Sequence, residues 1–150
     1  MTQTNCFSEI LDEADILLDV AADEKALVFS VAAEQAGRRE LNGEEVAQSL
    51  LNREALDSTG LGHGVAIPHG RIKGLKAPFG IFMRLARPIP FGSPDGEPVH
   101  LIFVLLVPTQ TTEAHLTILS QLAERFCNPE FREALAAAND AATVLNLFLA

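Results

Sequence analysis

The sequence predicts an α/β fold: a single domain over residues 1–150, with a mixed β-sheet flanked by helices on both faces. Three observations carry this expectation. Residues 99–107, V-H-L-I-F-V-L-L-V, are almost continuously apolar and stop at Pro108, as a strand buried on both faces requires. Segments with helical spacing lie before and after that run. The chain has 150 residues, 48% of them apolar, which suffices for one packed core.

Each element can be justified in order. Ile16-Leu17-Leu18 is a short apolar patch that reads as an edge strand. From Asp23 to Ala36, the positions Ala26, Leu27, Ser30, Val31 and Glu34 repeat with a helical rhythm. Asp23 and Glu24 suit the positive N-terminus of that helix, and Gly37 is placed to end it. Asn42 is placed to cap a second helix, G-E-E-V-A-Q-S-L-L-N-R-E-A-L, with Val46, Leu50, Leu51 and Leu56 along one face. A glycine-rich stretch follows, in which V-A-I (65–67) is a very short strand. P-F-G-I-F-M-R-L-A (78–86) is the next strand. Residues 87–98 hold four prolines and two glycines and read as turn and loop. Beyond the strand at 99–107, a third helix carries His115, Leu116, Ile118, Leu119 and Leu122 to about Phe126. Asn128-Pro129 breaks it, and two short helices, 129–138 and 140–149, close the chain.

Charge and composition exclude several functions. The net charge is −9, which does not draw a polyanion to the chain as a whole, so nucleic acid and anionic membrane surfaces are not expected partners. The charge is uneven. Residues 1–57 hold 13 acids and 4 bases, whereas residues 58–98 hold 2 acids and 5 bases. That local cationic excess suits a small anion or the acidic edge of a partner. Cys6 and Cys127 are far apart with no CxxC, and read as free thiols in a reducing compartment. The N-terminus has no basic region followed by an apolar run, and no apolar run is long enough to cross a bilayer. A cytoplasmic protein is expected.

The cationic stretch is also the candidate site. Residues 58–74 read S-T-G-L-G-H-G-V-A-I-P-H-G-R-I-K-G. Pro68 fixes its own φ and pushes Ile67 towards extended geometry, so the imidazole of His69 stands on a stiff support. Gly70 lacks a Cβ, which would let a bulky anion approach its backbone N–H. A neutral imidazole is a nucleophile at neutral pH, and a phosphoryl group placed on it would need donors or positive charge around its oxygens. The bland alternative is a histidine that fills a loop.

His115 falls in the first turn of a helix that follows a buried strand, where free N–H groups face an anion. It is either a second site histidine or an exposed polar helix residue. Arg53, near a helix end, could offset the macrodipole or grip an anion bidentately. His63 together with His69 and His115 invites a zinc reading, but the spacing is unlike HExxH. His100 opens an apolar strand and reads as structural. The glycines at 60, 62, 64 and 70 are followed by no GK[ST], so they form no P-loop.

These residues carry a resemblance. R-E-A-L (53–56) followed by S-T-G-L-G-H-G-V-A-I-P-H-G-R (58–71) resembles the signature of mannitol/fructose-type phosphotransferase-system enzyme IIA. H-L-I-F-V-L-L-V-P-T-Q-T-T-E-A-H-L-T-I-L-S-Q-L-A (100–123) resembles its second signature. Order and spacing match over nearly the whole chain, and the nitrogen-regulatory branch of the family is the better match.

The resemblance implies that His69 accepts a phosphoryl group on Nε2 from an HPr-like nitrogen phosphocarrier. It implies that His115 stabilises that group and that Arg53 lies near it, with His63, Pro68 and Gly70 lining the site. No metal and no cofactor are implied. Such a protein is a phosphohistidine transfer component that acts mainly as a regulator, on targets such as potassium-transport proteins or sensor kinases. Some sugar-transporting members carry a carboxylate where this chain has His63. The alternatives are a sugar-specific IIA passing the group to a IIB component, a binding module whose histidine site has decayed, and, more distantly, a zinc hydrolase.

Overall fold

A computed structural model describes residues 7–110 and 113–150. Its one sheet has six strands, β1 (Ile16–Val20), β2 (Gly60–Gly62), β3 (Val65–Ala66), β4 (His69–Ile72), β5 (Phe79–Ile89) and β6 (Val99–Pro108). The strand order is β1-β5-β6-β3-β2, and β4 also pairs with β6. The sheet is mixed. β5 and β6 form a long antiparallel pair, β1 runs parallel to β5, and β3 and β4 both run parallel to β6 along its other side.

Helices cover both faces. α2 (Lys25–Gly37) and α3 (Gly43–Leu56) pack on one. α1 (Phe7–Ile10), α4 (Glu113–Phe126), α5 (Pro129–Ala137) and α6 (Ala141–Leu149) pack on the other. The alternation along β6 joins the two layers: Ile102, Val104 and Leu106 enter the first core, and Leu101, Phe103, Leu105 and Val107 the second. In the second core Phe148 stands among Phe7, Phe82, Phe103, Phe126 and Phe131, with ring centroids 5.2 to 6.0 Å from its own. These are tilted or edge-on contacts of the kind aromatic quadrupoles prefer.

Local chemistry explains most boundaries. The side chain of Asn42 accepts from the backbone N–H groups of Glu44 and Glu45 at the start of α3. Asn128 does the same for Glu130, with Pro129 in the first turn of α5, and Asp140 for Thr143 in α6. The edge strand at Ile16 and the strand at 99–107 lie where the sequence places them.

Four expectations need correction. The buried face of α2 is Val28, Phe29, Ala32, Ala33 and Ala36, whereas Leu27 is exposed. Ser30 and Glu34 are exposed on the same side as Leu27, so the rhythm drawn through these positions follows the outer face. Gly37 does not end α2 in a left-handed conformation. The chain continues through turns closed on Gln35, Ala36 and Gly37, and Glu40 takes the positive φ, at 65°. In α3, Leu51 and Leu56 are exposed, Leu56 by 83%. Finally, β5 runs on to Ile89. Its pairing with β6 lapses between Arg84 and Ile89, which leaves room for Pro88 without a lost ladder bond. Cys127 is an exposed free thiol, and Cys6 lies outside the described residues. No helix among the described residues is long and apolar enough to cross a membrane.

Candidate functional site

The stretch 58–72 is three short strands, not an open loop. β2 and β3 form a tight hairpin whose central residues, His63 and Gly64, both have positive φ, 56° and 82°. Two-residue hairpins demand this of both central positions when their twist is to match the strands. β4 then begins at His69, whose backbone pairs with Leu105 of β6, while the Pro68 carbonyl accepts from the Leu105 N–H at 2.9 Å. Pro68 therefore breaks the strand between β3 and β4 without losing register on β6. The imidazole projects from a rigid sheet.

Both ring nitrogens of His69 are engaged. Nδ1 lies 3.0 Å from the Ile67 carbonyl oxygen. A carbonyl can only accept, so Nδ1 carries the proton. Nε2 then holds the lone pair and accepts from the Nε–H of Arg53 at 3.3 Å. The guanidinium is held in place by a second bond, Nη1 to the Asp57 carbonyl at 2.9 Å. A protonated ring would set two donors against each other at Nε2, so the geometry selects the neutral form. The electrostatics agree. His69 is held below the ordinary 6.5, first by burial, which penalises the imidazolium; the Ile67 carbonyl opposes this, the Arg53 charge reinforces it, and the Glu54 charge opposes it.

His69 faces a cavity of about 430 Å³. Arg53, Gly70, Arg71, His115 and the exposed side chains of Leu56 and Leu116 also line it. A second hollow of about 340 Å³ meets the first at His69 and Arg53, walled by Thr59, Gly60 and, from α4, Ser120 and Ala123. The first turn of α4 brings in His115, which is only 6% exposed. His115 is thus a buried wall of the cavity and not an exposed polar helix residue. Two histidines, two arginines and an apolar rim can hold a compact anion against the Nε2 lone pair.

Not every candidate is assembled there. His63 stands exposed at the hairpin tip, where its backbone N–H donates to Asp95 at 2.8 Å, and it does not line either cavity. Pro68 is buried behind the ring and supports it without lining the cavity. Gly70 does line it, for a different reason from the one its sequence suggests. A Cβ on Gly70 would meet Ser49 Oγ at 2.5 Å, so the missing side chain lets α3 approach β4, where Ser49 Oγ donates to the Arg71 carbonyl at 3.1 Å. The glycine brings the helix that carries Arg53 close to His69. His100 packs its ring against Gly64, where a Cβ would meet Cε1 and Nδ1 at 2.9 Å, consistent with a structural role.

Sequence reasoning missed Glu54. Its side chain is 6% exposed and accepts from Lys25 Nζ at 2.7 Å, from Thr59 Oγ1 at 2.6 Å and from the Thr59 N–H at 3.2 Å. One signal was present. An acid in the last turn of a helix opposes the macrodipole, so Glu54 needs other donors to stay there.

The mixed sheet presents one neutral, tautomer-locked imidazole to a cavity lined by two arginines and a second histidine. The chain belongs to the phosphoenolpyruvate-dependent sugar phosphotransferase system EIIA 2 family, which its residues 9–150 match, and within it to the nitrogen-regulatory IIA branch. It is 37% identical over 132 residues to the nitrogen regulatory protein of Pseudomonas aeruginosa, covering 87% of this chain and 86% of that protein. The crystal structure of nitrogen regulatory protein IIA-Ntr from Neisseria meningitidis superposes with a TM-score of 0.91 at 42% identity, over 95% of this chain and 99% of that one. The crystal structure of IIA mannitol from Escherichia coli gives a TM-score of 0.77 at 25% identity, over 92% of this chain and 98% of that one.

Proposed function

We propose that this chain, acting as one IIA domain in the cytoplasm, takes a phosphoryl group onto His69 Nε2 from a phosphohistidine on an HPr-like nitrogen phosphocarrier. Its phosphorylation state then sets which regulatory targets it binds, with potassium-transport proteins and sensor kinases as the candidate classes. The single observation that carries this reading is the locked tautomer of His69, which turns the Nε2 lone pair towards a cavity shared with His115 and Arg71.

In the transfer, the P–N bond to the carrier's imidazole breaks as the P–Nε2 bond forms. The carrier's ring, protonated on its other nitrogen, leaves as neutral imidazole. The His69 proton stays on Nδ1, still hydrogen-bonded to the Ile67 carbonyl. Arg53, displaced from Nε2, donates instead to the arriving oxygens, and His115 flanks them. Catalysis is then positioning and charge stabilisation, as phosphoryl transfer requires. The phosphoryl group brings about −1.5 to −2 of charge, partly offset by the ring that keeps its Nδ1 proton, onto a cationic, leucine-rimmed surface, which is enough to reverse a contact there.

Incubation with enzyme I, phosphoenolpyruvate and either a nitrogen-type or a sugar-type carrier, followed by intact mass, tests this. The expected result is a gain of one phosphoryl group, faster from the nitrogen-type carrier and lost in His69→Ala. Full labelling of His69→Ala would sink the assignment. Faster transfer from the sugar-type carrier, with onward transfer to a IIB component, would favour the sugar-specific reading that the mannitol likeness keeps in view.

A further inference from the structure

Behind His69 runs a continuous chain of hydrogen bonds. Lys25 of α2 and Thr59, just before β2, converge on the Glu54 carboxylate at the end of α3. The Thr59 carbonyl accepts from the Ile67 N–H at 3.1 Å. The Ile67 carbonyl accepts from His69 Nδ1 at 3.0 Å. Thr59 and Ile67 are both buried, at 7% and 4% exposure, so neither link is readily replaced by solvent. Along this route, Glu54 ties together the α3 end that carries Arg53 and the link between β3 and β4 whose carbonyl holds the ring.

We infer that Glu54 is a positioning residue for the proposed phosphoryl transfer: through Thr59 and Ile67 it holds the His69 ring in its Nδ1–H tautomer and so makes Nε2 the acceptor atom. The inference rests on the function proposed above but concerns a residue that touches neither the phosphoryl group nor the reacting nitrogen.

The physical reason is placement. A carbonyl selects one tautomer only while it stays within hydrogen-bond reach in the ring plane. Ile67 lies just past the two-residue strand β3 and just before a proline, so its carbonyl has no strand ladder of its own to fix it. Its other anchor is the Thr59 carbonyl, and Thr59 is held on both its N–H and its hydroxyl by Glu54. A neutral glutamine at position 54 offers one acceptor oxygen and an NH₂ group to donors on two sides. It must therefore release either Lys25 or Thr59. The carboxylate also acts through space, because its charge is one of the influences raising the affinity of His69 for a proton.

The test compares Glu54→Gln, Thr59→Val and Thr59→Ser with the unsubstituted protein, all checked for folding by circular dichroism. Two readouts are taken: the His69 tautomer, from long-range ¹H–¹⁵N correlations, and the rate of phosphoryl acceptance by intact mass. Glu54→Gln and Thr59→Val are expected to turn a single Nδ1–H tautomer into a mixture and to slow acceptance about tenfold or more. Thr59→Ser, which keeps the hydroxyl, restores both. In Glu54→Gln the midpoint of the His69 titration moves further down.

A folded Glu54→Gln variant with an unchanged tautomer overturns the inference, whatever its rate, because a slower rate alone would show only a structural role. Should Glu54→Gln fail to fold, the contrast between Thr59→Val and Thr59→Ser decides by the same readouts. The tautomer measurement needs no carrier. Failure of the unsubstituted protein to accept a phosphoryl group would therefore count against the proposed function, and an unmoved tautomer against the positioning role.

Discussion

Two regions flank β6: on one side β5, which forms a long antiparallel hairpin with it, and on the other the broken stretch 58–72, whose β3 and β4 pair with it. The hairpin pairs without a break from Phe79 to Arg84, and most of its side chains are buried in one of the two cores. The other stretch is three strands of two to four residues, interrupted by a hairpin tip and a proline. The hairpin spends its backbone groups on its own ladder. The interruptions free backbone groups in the other, and the Ile67 carbonyl is then available to hold a side chain. Stability and chemistry are divided between two partners of one strand.

Substitutions can break this division, and the largest effect is expected at His69. His69→Ala should abolish phosphoryl labelling while leaving the thermal midpoint nearly unchanged, because the ring is only partly buried and carries no core packing. Intact mass beside a melting curve checks both halves. Phe103→Ala should do the reverse. It removes a ring from the centre of the second core, where it also covers Gly80, and should cost about 3–5 kcal/mol in denaturant unfolding. The folded fraction should still label. A Phe103→Ala protein that is stable but cannot be labelled would mean that the two regions are not separable.

Gly70→Ala sharpens the boundary between them. Its Cβ must push Ser49 and α3 outward, which moves Arg53 from His69, so a loss of about 1–3 kcal/mol should come with slower labelling. His115→Ala should slow labelling without abolishing it, a single-turnover measurement.

The pH profile is a gentler probe. On the proposed function the neutral ring accepts the phosphoryl group, and burial holds its pKa below 6.5, so acceptance should fall with decreasing pH at a midpoint below that value. A midpoint at or above 6.5 would contradict the buried, Arg53-facing geometry. The smallest effect belongs to His63→Gly. That residue sits at the hairpin tip with a positive φ and lines neither cavity, so stability should change by less than about 1 kcal/mol and labelling should be unaffected.

The same contrast explains what the sequence made legible. The strand at 99–107, the Asn42 cap and the Asn128-Pro129 break were readable because each is a local signal: an apolar run, a capping side chain, a fixed φ. The pairing of His69, Arg53 and His115 was approachable through motif resemblance, and the structure gathers those three around one cavity. The face of α2 is misassigned by its rhythm, because Ser30 and Glu34, which mark its solvent side, count there with the apolar positions Ala26, Leu27 and Val31. The surroundings of His63 and Gly70 were not legible for a related reason. Glycines beside a histidine signal unusual backbone or close approach, and only the tertiary arrangement says whether the thing approaching is an anion, a helix or another strand. Glu54 was invisible as a partner because its donors lie on α2 and just before β2.

The central claim is that the fold presents Nε2 of His69, with Nδ1 held by Ile67, as the atom that takes the phosphoryl group. The direct measurement is ¹⁵N-edited and ³¹P NMR of histidine-labelled protein before and after reaction with phosphorylated carrier. The account predicts an Nδ1–H tautomer beforehand and a phosphorus bonded to Nε2 afterwards. A ring protonated on Nε2, or a phosphoryl group on Nδ1, would contradict it.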